Sequence, residues 1–132
     1  MKKLALLATL LFSVMFSSAS YAEWKKVGVS EVSVGAIVYV DLERIKKVDG
    51  YVYFWVLIDY LKLTKQGHLS VHMYKQGDCK LFRSKSLSYS FHKEPMGGGT
   101  SETARTPQKE WTYPHPNSIS EISLNSICDH VK

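Results

Sequence analysis

Apolar residues recur along most of this chain with a period of two, as in half-buried strands, and switch to a helical period only near the end. Trp24 to Val27 reads as a short first strand, and Val32, Val34, Val38 and Val40 alternate through a second. Asp41 to Ile45 resembles a single helical turn opened by Asp41, and Lys46 to Gly50 closes as a turn on its Asp-Gly pair. Tyr51 to Tyr60 is apolar on both parities, with Val52, Phe54, Val56 and Ile58 on one face and Tyr51, Tyr53, Trp55 and Leu57 on the other. Such a strand belongs mid-sheet with something covering each side.

Leu69, Val71 and Met73 alternate against His68, Ser70 and His72, and Gln76-Gly77-Asp78 reads as the turn that follows. From Cys79 to Phe91 the odd positions are mainly apolar and the even ones polar, but Phe82, Arg83 and Lys85 break the rule. A β-bulge or a sheet rim would reconcile that mismatch. Lys93 to Lys109, rich in Gly, Thr and Pro, reads as a mobile loop, and Trp111 to Tyr113 as an edge strand. Ser118-Ile119-Ser120-Glu121 has the form of a capping box, and Leu124, Ile127, Cys128 and Val131 then make one apolar stripe at i, i+3, i+4, i+7. The whole predicts an α+β domain, an antiparallel sheet of about five to six strands covered by a C-terminal helix.

The first 22 residues stand apart from this pattern. Lys2 and Lys3 precede an apolar run, Leu4 to Phe16, too short to span a bilayer, and Ser20-Tyr21-Ala22 supplies small residues for cleavage. The expected division is a signal peptide over 1–22 and one domain over 23–132. Removing 22 of 132 residues leaves 110; the leader holds two of the 17 basic residues and none of the 12 acids, so net charge falls from +5 to +3. A multidomain enzyme, a membrane-spanning chain and a strongly cationic nucleic-acid binder are excluded by those figures. Cys79 and Cys128 are the only cysteines, and in an exported chain an even pair reads as one disulfide. No cysteine follows the apolar run to accept a lipid anchor, so the expected mature form is periplasmic or secreted.

Candidate chemistry is sparse. His68 and His72 would stand about 13 Å apart on a strand, too far to share a metal ion. Gly97-Gly98-Gly99-Thr100 lacks the Lys-Ser/Thr ending and the helix of a phosphate loop, no Gly-x-Ser-x-Gly elbow occurs, and nothing brings two carboxylates together. No catalytic residue, metal or cofactor is expected. The aromatics Tyr51, Tyr53, Trp55 and Tyr60 beside Lys62, with Lys80, Arg83 and Lys85 on another strand, mimic a stacking platform for single strands. Core packing is the expected role for these aromatics, given the weak charge of an exported domain. The segment Lys80, Arg83, Lys85 is the candidate ligand-binding patch, for an acidic protein or glycan.

Several stretches together resemble the bacterial surface-adhesin protein E family. They are Tyr39-Val40-Asp41 with Ile45-Lys46-Lys47, the tryptophan strand Phe54 to Tyr60, and Leu69-Ser70-Val71 with Asp78-Cys79-Lys80, Arg83 and Tyr89. Met96-Gly97-Gly98-Gly99, and Pro116-Asn117-Ser118-Ile119 with Cys128, complete the pattern in the same order over nearly the whole mature chain. The resemblance implies an antiparallel sheet backed by a C-terminal helix, a Cys79–Cys128 disulfide, dimerisation, and, for the namesake, attachment to host extracellular-matrix proteins. It also implies a lipid anchor, for which this sequence offers no acceptor cysteine. The expected function is a small exported, non-enzymatic binding module, and the alternative is a soluble periplasmic structural or accessory protein acting as a sheet-edge homodimer with no adhesive role.

Overall fold

The computed structural model describes residues 23–104 and 107–132, so the leader expected over 1–22 lies outside the described residues. Seven strands form one antiparallel sheet: β1 (Trp24–Ser30), β2 (Ala36–Asp41), β3 (Lys46–Val48), β4 (Tyr51–Tyr60), β5 (Ser70–Asp78), β6 (Arg83–His92) and β7 (Ser101–Ala104). Their order is β1-β2-β4-β5-β6-β7, with β3 paired to one end of β4. The α-helix among the described residues, α1 (Ile119–His130), lies on one face. This is the α+β architecture read from the periodicity, with β3 and β7 added to the expected strands and Trp111–Tyr113 reduced to a bridge.

The core forms between α1 and the parity of β4 that carries Val52, Phe54, Val56 and Ile58, joined by Val38 and Val40 of β2 and Val71 of β5. From the helix, Leu124 and Ile127 are fully buried in it. Leu124 seats against Gly77, where a Cβ would stand 2.9 Å from its Cδ1 and 3.0 Å from Phe54. Glycine is needed there for room, and it keeps a strand conformation. The residues read as a turn, Gln76 to Asp78, therefore continue β5, and the reversal falls at Cys79–Phe82.

Half of the capping box forms as expected, Ser118 Oγ accepting from the Glu121 amide at 3.2 Å, but Glu121 Oε1 reaches one residue further back and accepts from the Asn117 amide at 3.1 Å, while the Ser118 amide donates to the His115 carbonyl. At the other end Lys47 Nζ donates to the Val131 carbonyl at 3.1 Å, a cation where the helix dipole favours one. Cys79 and Cys128 are disulfide-bonded with Cα atoms 5.6 Å apart, tying α1 to the β5–β6 turn across 49 residues of sequence. By chain entropy a closure of that length stabilises the fold by about 4 kcal/mol.

Four local expectations are corrected by long-range pairing. Val32 and Val34 lie before β2, and Val32 is 67 % exposed. Asp41 ends β2 and opens no helical turn; its Oδ1 accepts from the Glu43 amide at 3.1 Å in a side-chain turn. Lys46–Val48 is a strand because Asp49-Gly50 folds it back onto β4. Within the stretch read as a mobile loop, Ser101–Ala104 adds to β6, while Trp111–Tyr113 contributes a single bridge, Thr112 to Ser84.

Candidate functional site

Only half of the second face of β4 is covered. Register places His72 beside Leu57, and Trp24, from the far side of β2, stacks on that imidazole at 5.3 Å. The two rings lie across the sheet above Leu57, which is fully buried. Next to them the Pro95–Gly97 turn folds onto the same face. The Met96 amide donates to Asp59 Oδ1 at 2.9 Å, and the Gly97 amide donates to Ser70 Oγ at 2.8 Å, which itself donates to the Glu94 carbonyl at 2.6 Å. Gly97, at φ 76°, passes so close to His72 that a Cβ would fall 2.4 Å from its Nε2. The glycine run is thus a latch over the sheet.

The other half of the face is open to solvent, and it gathers aromatic and basic side chains. Cross-strand pairing brings Trp55 onto Tyr74, stacked at 4.8 Å, and Tyr53 to 6.3 Å from Tyr74. Tyr51 meets Trp111 at 5.4 Å. Trp111 is in turn covered by the Arg83 guanidinium at 4.4 Å and the Lys85 ammonium at 4.6 Å from its ring centre. The negative face of the indole attracts both cations, so the ring pre-orients them. Arg83 also donates from Nε to Asp78 Oδ2 at 2.9 Å. Burial works to raise the Asp78 pKa, but the amides of Leu81 and Lys80 and the Arg83 guanidinium outweigh it and hold the carboxyl below its ordinary value.

Of the three candidate residues, then, Arg83 and Lys85 stand together on the open face, and Lys80 projects from the adjoining turn, exposed. Of the aromatics expected in the core, Tyr60 packs against it, while Tyr51, Tyr53 and Trp55 lie on this face, half-buried, because α1 covers the opposite parity only. Arg83 and Lys85 escape the inward parity through the β-bulge between Tyr74 and Lys75, opposite Leu87. The bulge turns Ser84 and Ser86 toward α1 in their place, where both are buried. Trp111 was not singled out, since its position follows from the Ser84–Thr112 bridge and no local pattern announces it.

Sequence reading also missed a histidine pair. His68 stacks on Phe91 at 5.1 Å, while His72 faces His92 at 4.8 Å beneath the glycine latch. His72 Nε2 and His92 Nδ1 are buried without hydrogen-bond partners. Burial lowers the pKa of both below the ordinary 6.5, and for His72 the proximity of His92 lowers it further. Among the described residues no three His, Cys, Asp or Glu side chains converge as a metal site would require.

An antiparallel sheet backed by a C-terminal helix and tied by one disulfide, with a half-open aromatic face, defines a small α+β domain. The chain belongs to the Surface-adhesin protein E family, whose model matches residues 24–129. Its fold is that of Haemophilus influenzae protein E. One crystal form of that protein superposes with a TM-score of 0.55 at 20% identity, covering 84% of this chain and 100% of that one. A second structure gives 0.56 at 17% identity over 85% and 91%, and protein E from a non-typeable strain gives 0.54 at 16% over 86% and 79%. No functionally curated protein matches the chain. Membership of a surface-adhesin family implies an exported protein, and no helix among the described residues is long and apolar enough to cross a membrane.

Proposed function

We propose that this protein is an exported, non-enzymatic binding module, delivered by a cleaved leader over residues 1–22, whose open sheet face engages acidic surfaces of extracellular-matrix or envelope proteins. The observation that carries the reading is Trp111 held beneath Arg83 and Lys85 at the end of a half-buried aromatic row. Rigid aromatics with an arginine among them are the composition of interface hot spots, and the lysines add steering. An edge-paired homodimer has weaker support: β1 carries Lys25 and Lys26 and a bulge before Gly28, devices that discourage pairing of an edge strand.

Binding to immobilised matrix proteins tests the proposal with two charge reversals. Arg83→Glu with Lys85→Glu should weaken binding about tenfold or more and reduce its salt dependence. Because Arg83 also neutralises Asp78, Lys80→Glu with Lys85→Glu serves as a second variant that leaves that pair intact. Unchanged affinity in both discards the face.

A further inference from the structure

On the helix-facing side of the sheet, one charged side chain is buried without a counter-charge. Lys75 follows Val71 and Met73 on the core parity of β5 and is 4 % exposed. Its ammonium makes one hydrogen bond, 3.2 Å to Ser120 Oγ in the first turn of α1. All Asp and Glu side chains of the chain belong to the described residues, and the ion pairs they form involve Arg44, His68, Arg83 and Lys132 but not Lys75. An ammonium has three donors, and desolvating it without an anion is costly.

The space beside it joins donor groups to an apolar wall of Ile58, Met73, Tyr89 and Ile119. A cavity of about 250 Å³ is bounded by Lys75, Ser84, Ser86, Gln108, Thr112 and Ser120, with no acidic residue on its wall. Ser84 and Ser86 are 2 % and 5 % exposed, so their hydroxyls, turned inward by the β6 bulge, are fixed parts of that wall. Ile119 and Ser120, which also line it, begin a twelve-residue helix whose dipole is positive at this end, although the Glu121 amide in that turn is already capped by Ser118. Cation, dipole and hydroxyls therefore all favour an occupant that is negative and accepts hydrogen bonds.

We propose that this cavity binds a small carboxylate, with Lys75 as its counter-ion and Ser84, Ser86 and Ser120 as hydrogen-bond donors. The volume lies just below the range of about 300–1,000 Å³ typical of drug-sized ligands, which limits the occupant to a small acid or a chain terminus. A free short-chain acid and the C-terminal carboxylate of an inserted peptide share that chemistry. Burial that pulls the Lys75 pKa down to about 8 is consistent with a cation lacking its partner, and at neutral pH it is still mostly protonated. The site lies on the opposite side of the sheet from the aromatic face, so its success or failure is independent of the proposed adhesion.

The test is NMR of ¹³C-lysine-labelled mature protein titrated with sodium acetate, N-acetylglycine, uncharged N-acetylglycinamide and sodium chloride. The Lys75 ε resonances should move saturably with the two carboxylates and stay fixed with the amide and with chloride. Lys75→Met and Lys75→Gln, both folded by circular dichroism, should weaken carboxylate binding about thirty-fold or more, read as loss of the saturable rise in Tm. N-acetylglycine binding at least about tenfold tighter than acetate assigns the site to a peptide terminus, and equal affinities assign it to free acids. Lys75 resonances that respond no more to carboxylate than to chloride, or a Tm rise that persists in both variants, overturn the proposal.

Discussion

Replacing Lys75 by methionine removes a charge from the helix–sheet interface and leaves most of the side-chain volume in place. Burial lowers the lysine pKa from 10.5 to about 8. A difference of that size corresponds to about 3 kcal/mol by which folding disfavours the protonated form, fully expressed below pH 8. The substitution also breaks the hydrogen bond to Ser120, worth about 1 kcal/mol. The expected net effect at pH 7 is a stabilisation of about 2 kcal/mol. Urea unfolding in a carboxylate-free buffer should then show the midpoint about 1 M higher, for a slope typical of a domain this size. The sign of the pH dependence follows from the same linkage. Between pH 8 and 10.5 the unfolded chain binds more protons at this lysine than the folded one, so wild-type stability gains on the variant as pH rises. The advantage of Lys75→Met should therefore shrink between pH 8 and 9.5. A variant less stable than wild type at pH 7, or an advantage constant from pH 7 to 9.5, would refute the reasoning.

Two further outcomes follow from the latched end of the open face. His72 and His92 have folded-state pKa values below the ordinary 6.5, so stability is full above pH 6.5 and is lost as pH falls toward those values. Thermal unfolding from pH 7.5 to 4.5 should show this decline, and His72→Phe with His92→Gln should flatten it; an identical acid limb in the double variant would exclude the pair as its source. Gly97→Ala places a Cβ 2.4 Å from His72 Nε2 at a positive φ and should cost about 2 kcal/mol. Amide exchange should show the Pro95–Gly97 turn losing protection while β2 and β4 retain it, and unaltered exchange there would mean the close approach is not restrictive.

Much of the fold was legible because its signals are local. The parity of β4, the capping box at Ser118 and the stripe ending in Cys128 depend on residues within one element. The mismatch at Arg83 and Lys85 even announced the β6 bulge, since two charged residues on an apolar parity demand a change of register. Lys75 was legible in the same way: two residues beyond Met73, the alternation that places Val71 inward places the lysine inward too. Reading Gly77 as a turn hid it, because a glycine that makes room for Leu124 and one that makes a reversal look alike in sequence.

By itself the sequence determined the period, the long strands and the C-terminal helix, the cysteine pair and the kinship, all carried by side-chain type and spacing along the chain. Tertiary structure alone decided which parity of β4 would be covered, that Trp111 would lie under Arg83 and Lys85, and that His92 would meet His72. The reason is geometric. A strand's alternation states that it has two faces but not which receives the one helix available, and residues tens of positions apart become neighbours only through the register of the strands between them.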